Sequence, residues 1–190
     1  MSTATTLLAC IALPLLAPLL ITALHRWPNP REAVTLLTAA GLLLLVLSLY
    51  GTLQGGAMPV VPVAEPIPGL AIAFVLEPLG LVFATLASFL WLVTSVYAIG
   101  YMRSHHEKKQ TSFYSCFAIA LASVMGIAFA SNLFTLFIFY EVLTLSTYPL
   151  VTHAGTRAAR DGGRVYLAYL LGSSVVLLLL ALVWTWSLTG

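Results

Sequence analysis

Charged residues make up 7% of this 190-residue chain, against about 25% in an ordinary soluble domain, and so low a share excludes a fold that meets water on all sides. Lysine occurs only at Lys108 and Lys109, next to one another. The two cysteines, Cys10 and Cys116, fall in apolar runs and form no CxxC or Cys/His pattern. That excludes a thiolate metal site, and the expected role of both is packing. His105-His106-Glu107 is the nearest thing to a metal cluster, but adjacent residues do not converge on one ion, and it reads as a solvated loop. Long polar intervals are missing too. No stretch suffices for a folded domain outside a membrane, so these residues leave no room for a flavin, nucleotide or iron–sulfur module, and no cofactor or metal is expected.

Hydrophobic side chains fill the space, 61% of the total. They gather in six stretches, 5–24, 33–53, 78–102, 113–130, 133–152 and 165–189. Each is long enough to cross a hydrocarbon core about 30 Å thick at about 1.5 Å per residue. The expected fold is an all-α integral membrane protein, a single bundle of six transmembrane helices over 1–190. The first three helices and their loops occupy 1–112. All eight Lys and Arg residues fall in alternate loops: Arg26 and Arg31; Arg103, Lys108 and Lys109; Arg157, Arg160 and Arg164. By the positive-inside rule those loops are cytoplasmic and both termini lie outside, in a multi-pass protein of the cell (inner or plasma) membrane. The net charge of +2 is thus a topology signal and implies no nucleic-acid partner.

Local features refine this outline. The first span holds Pro14 and Pro18 one turn apart, which predicts a kink, and it lacks the basic flank and cleavage site of a signal peptide. Trp27 reads as an interfacial anchor in the turn that follows. The longest loop, 54–77, is rich in Gly and Pro, and its short Val, Ile and Phe runs predict an extended or hairpin segment on the outer surface. Glu77 before Pro78 suits a first-turn acid facing the helix dipole, with an exit-side acid of a proton route as the other option. Ala118, Ala122, Gly126 and Ala130 form a small-residue face, and only Ser131 and Asn132 separate the fourth span from the fifth, so the two pair antiparallel. The segment after His153, AGTRAARDGGR, reads as a flexible loop. On the sixth span Tyr166, Tyr169 and Ser173 make a polar stripe that suits either the proton route or ordinary packing.

The chemistry concentrates at 132–153, where a single carboxylate, Glu141, stands midway along an apolar span. An ionised acid at the bilayer centre costs about 3 kcal/mol even on the lenient insertion scale, so it must find a partner or hold a proton. Hydrocarbon favours a neutral acid and a nearby cation favours the carboxylate; a group poised between the two loads and releases protons. At helical spacing Thr144, Tyr148 and Thr152 share the face of Glu141 on one side, and Ile138, Phe137 and Phe134 lie on the other. His153 ends the hydroxyl stripe. Pro149 removes a backbone donor within the span, frees a carbonyl and favours a kink. The pattern reads as half of a proton path, open from the cytoplasm to Glu141 and closed beyond it. The alternative is a Glu141 that only anchors neighbouring helices by hydrogen bonds.

The segment FYEVLTLSTYPLVTH at 139–153 resembles the antiporter-like proton-channel subunits shared by respiratory complex I, multisubunit monovalent cation/proton antiporters and membrane-bound hydrogenases. YAIGYMR at 97–103 looks like the end of that family's third helix, and RVYLAYLLGSS at 164–174 like the start of its sixth. Within the family the segment looks closest to the D-type antiporter subunits. The resemblance covers nearly all of the chain in order. It implies a subunit that moves protons, with Glu141 as the fifth-helix acid, an external amino terminus and 113–190 as the start of the proton-channel module. It also implies a lysine partner on a seventh helix. This sequence ends at Gly190 after six spans, none of which holds a lysine. The partner is therefore expected from another chain or from residues beyond Gly190, unless the site does not transport.

The expected function is a proton-translocating membrane subunit, or the amino-terminal part of one, of a multisubunit cation/proton antiporter or NADH:quinone oxidoreductase-like complex. Its partners would be other membrane subunits, protons, a monovalent cation such as sodium, and the lipid bilayer, with any redox chemistry in other subunits. The rival reading is a non-transporting structural or assembly subunit of such a complex. A stand-alone transporter is disfavoured because one buried acid has no counter-charge in six spans.

Overall fold

The computed structural model describes residues 2–54, 58 and 60–189. In chain order the elements are α1 (Thr3–Ala23), α2 (Pro28–Gln54), β1 (Val60–Ile67), β2 (Leu70–Val75), α3 (Pro78–Ser104), α4 (Gln110–Ala128), α5 (Leu133–Val151), α6 (Arg157–Ser173), a π-helical stretch Ser174–Leu179, and α7 (Leu180–Thr189). The last three run on as one span, so among the described residues six helical segments are long and apolar enough to cross a membrane. All eight Lys and Arg residues lie at the end of the bundle where α1, α3 and α5 finish, here called the basic end.

Side-chain caps decide where several helices begin. Ser2 accepts from the Thr5 backbone N–H, Asn132 from Thr135 and Thr156 from Ala159, each satisfying an otherwise orphaned first-turn donor. Two starts differ from the sequence expectation. α2 begins at Pro28 rather than 33, because Pro28 and Pro30 sit where a first-turn N–H is dispensable and their fixed φ is already helical. α6 begins at Arg157 rather than 165. Most of the segment expected to be a flexible loop is helix, capped by Thr156, with only the turn at Gly155 (φ 68°) outside it. Apolar runs mark the buried length of a helix, and these first turns are polar.

Helix α4 sits at the centre. Its most extensive contacts are with α5 and α1, and half of its apolar window is buried, against 11% for the α6–α7 span at the margin. Leu7, Cys10 and Ile21 of α1, Leu42 and Leu49 of α2, Trp91 of α3 and Met125 of α4 are fully buried together. The α4–α5 pairing is antiparallel as expected, and the small-residue face has a definite use. A Cβ on Gly126 would stand 2.1 Å from the Phe139 ring of α5. Gly126→Val is therefore expected to destabilise the bundle by about 1–3 kcal/mol through overpacking. A thermal melt of the detergent-solubilised protein would read this, with partial recovery when Phe139→Leu is added.

The expected hairpin forms from β1 and β2, paired antiparallel from Val60 opposite Val75 to Ile67 opposite Leu70, with Gly69 (φ 81°) in the turn. Its second strand lies across the α4–α5 turn. The Val75 N–H donates to the Phe129 carbonyl (2.8 Å), Ser131 N–H to the Ala73 carbonyl (3.0 Å), and Ala73 N–H to the buried Thr135 hydroxyl (3.0 Å). Asn132 adds a bond from its side-chain amide to the Ala71 carbonyl (2.8 Å). The start of the Glu141 helix is thus tied to the hairpin.

Candidate functional site

Helix α5 carries Glu141 about midway between its Asn132 cap and Val151, and continues through Pro149. The carboxylate oxygen Oε1 is buried with no hydrogen-bond partner, and no ion pair reaches Glu141 among the described residues. A buried carboxylate oxygen without a donor is costly when ionised, and protonation or an approaching cation removes that cost.

The other residues of the stripe are placed unevenly. Thr144 is buried and shares the Glu141 face by helical spacing. Tyr148 and Thr152 are half-buried beneath α6, where a Cβ on Gly163 would come 2.3 Å from Thr152 Cγ2 and 3.2 Å from the Tyr148 ring. The Thr152 hydroxyl donates to the Tyr148 carbonyl (2.9 Å), as Thr147 does to Thr144 (2.9 Å) and Ser146 to Leu143 (2.9 Å). Of the polar stripe on α6, only Tyr166 reaches α5, its hydroxyl lying 3.0 Å from that of Thr147. Tyr169 and Ser173 are exposed, and Ser173 bonds its own helix backbone.

At the basic end His153 closes α5, its ring edge-on to Phe113 of α4 at 5.6 Å between centroids. Its Nε2 lies 3.9 Å from Glu107 Oε2, within ion-pair range and too long for a hydrogen bond. This corrects the reading of His105-His106-Glu107 as a merely solvated loop, since the loop turns Glu107 back onto α5. The turn is made by His106 and Lys109, both at positive φ (51° and 58°). It is held by the Glu107 N–H donating to the Met102 carbonyl (3.0 Å) and by the Gln110 amide donating to the Glu107 carbonyl (3.1 Å).

A second charged group escaped the sequence reading altogether. Glu32 and Arg31 in the first turns of α2 are 3% and 5% exposed. Glu32 is paired with Arg31 (3.4 Å) and with Arg103 from the end of α3. Arg31 also donates to Gln110 Oε1 (2.6 Å) and the Thr111 hydroxyl (3.1 Å), and its guanidinium stacks over the Tyr114 ring at 5.3 Å. Arg103 donates to Asn29 (2.6 Å). The cluster joins α2, α3 and α4 at the basic end. The Pro28-Asn-Pro30 start signal was the clue, because it moves both residues from a loop into a helix.

Six helical segments apolar enough to cross a membrane, found among the described residues, mark a multi-pass membrane protein. Residues of the chain are 33% identical over 91 positions, 48% of the chain, to the N subunit of an NADH-quinone oxidoreductase of Desulforudis audaxviator. They are 27% identical over 183 positions, 89% of the chain, to the D-type subunit of a probable K+/H+ antiporter of Rhizobium meliloti. The chain spans 18% and 32% of the lengths of these two relatives. No family model matches it. Among solved structures the fold is similar to a chain of the Mrp complex from Dietzia sp., with a TM-score of 0.79 and 24% identity, covering 94% of this chain and 34% of that one.

Proposed function

We propose that the chain is a proton-translocating membrane subunit, or the amino-terminal part of one, in a multisubunit cation/proton antiporter or NADH:quinone oxidoreductase-like complex. The observation that carries this is the buried, unpartnered oxygen of Glu141 midway along an apolar helix. Homologues with antiporter and oxidoreductase names support the class of complex. In this reading Glu141 takes up and releases the proton, and Thr144, Tyr148, Thr152 and His153 line the route to it. The basic end faces the cytoplasm of a cell's inner or plasma membrane, since basic loops are retained there. The hairpin and both termini then lie outside, residues 113–190 begin the proton-channel module, and protons with a coupled monovalent cation are the cargo. A cation from outside these 190 residues offsets the charge of Glu141.

The test is proton flux in inverted membrane vesicles holding the assembled complex, wild type against Glu141→Gln. One observation favours the rival, structural reading: no counter-charge to Glu141 lies among the described residues. On that reading flux survives Glu141→Gln while Gly126→Val prevents assembly.

A further inference from the structure

Resting on the reading of Glu141 as the proton-exchange site, we infer that Glu107 and His153 form an acid–base pair that collects protons from the aqueous phase at the basic end and feeds the hydroxyl-lined face of α5. Three observations converge on the pair. First, it comes from two elements that the turn at His106 and Lys109 brings together, with both peptide groups of Glu107 bonded, so the carboxylate is held in place rather than sampled by a loose loop. Second, exposure is graded: the Glu107 side chain is 36% exposed, that of His153 only 17%, and Nε2 is a buried atom without a hydrogen-bond partner. The acid therefore meets water and the imidazole lies behind it. Third, His153 adjoins Thr152, whose neighbour Tyr148 leads up the stripe toward Glu141.

From α6, Arg160 is turned to the Gly155 carbonyl (3.0 Å) and Asp161 pairs with Arg164 (3.5 Å). From α4 the ring of Phe113 covers His153 and adds no charge. Lys108 and Lys109 follow Glu107 in its loop.

Protons are conserved at every step. The Glu107 carboxylate takes a proton from solvent. A small rotation closes the 3.9 Å gap and the proton passes to Nε2 of neutral His153, restoring the carboxylate. The imidazolium releases a proton from Nδ1 toward the α5 hydroxyls, and a ring flip or return transfer resets the tautomer.

The experiment measures initial proton flux against pH in inverted vesicles containing the complex, for Glu107→Gln, His153→Ala, their double variant and Glu141→Gln. Each single variant is expected to lower flux roughly a hundredfold, the lower end of the range for a lost acid–base group. The deficit should widen as pH rises, because capture from a dilute proton pool is the step removed. The double variant should be no slower than the worse single one, as for two groups in series. Imidazole added to the medium should restore flux in His153→Ala, which a merely structural loss would not allow. Wild-type flux and pH profile in Glu107→Gln and His153→Ala, with Glu141→Gln inactive, would overturn the pair and leave the proposed function standing. Multiplicative losses without imidazole rescue would also overturn it. Wild-type flux in Glu141→Gln would instead overturn the reading on which the pair rests.

Discussion

Glu141→Gln is expected to lower proton flux through the assembled complex by roughly a hundredfold or more, the scale of a lost essential proton carrier, without lowering the amount of complex. The amide fills the same space and still accepts and donates hydrogen bonds, but it does not take up and release a proton in the working pH range. Stability should move the other way. The carboxylate oxygen is buried without a donor, so a neutral group there removes a desolvation cost, and the melting temperature should hold or rise. Glu141→Asp keeps a titratable group on a shorter stem and should retain part of the flux. The measurement is dye-reported proton uptake in inverted vesicles beside the yield and melting temperature of the purified complex. Undiminished flux in Glu141→Gln would remove this residue from the path.

The opposite signature is expected at Glu32. This carboxylate is 3% exposed and lies between Arg31 and Arg103, and Arg31 is itself buried. Glu32→Ala leaves the Arg31 charge without its acid in a site water barely reaches. Breaking a buried pair from one side costs about 3–5 kcal/mol. The bonds from Arg31 to Gln110 and Thr111 remain and set the cost toward the lower end of that range. Glu32→Gln should cost less, since it keeps an acceptor oxygen. The paired change Glu32→Leu with Arg31→Met, which removes both buried charges, should recover part of the loss. Thermal unfolding of the solubilised protein reads these effects, and flux per assembled complex should stay near wild type. A melting temperature unchanged in Glu32→Ala would mean the cluster holds nothing together. The two variants are thus expected to separate by readout, Glu32→Ala in the melting temperature and Glu141→Gln in proton flux.

The six spans, the place of Glu141 midway along an apolar helix and the gathering of basic residues at one end were all legible in the sequence. They depend on the length of apolar runs, on the helical period and on charge, properties that each stretch of chain carries without its neighbours. Helix starts were legible only through caps and prolines, and the apolar runs concealed them: Pro28 and Arg157 open their helices with polar turns. What meets across the bundle was settled by packing. Glu32 is paired with Arg103 across 71 residues, β2 is bonded to the α4–α5 turn, Gly126 makes way for Phe139, and the loop after α3 returns Glu107 to His153. Such contacts follow from how helices of a given length and small-residue face pack against one another. A charged residue near a helix end looks solvated in the sequence, and only the packing of α2, α3 and α4 shows which of those charges are buried.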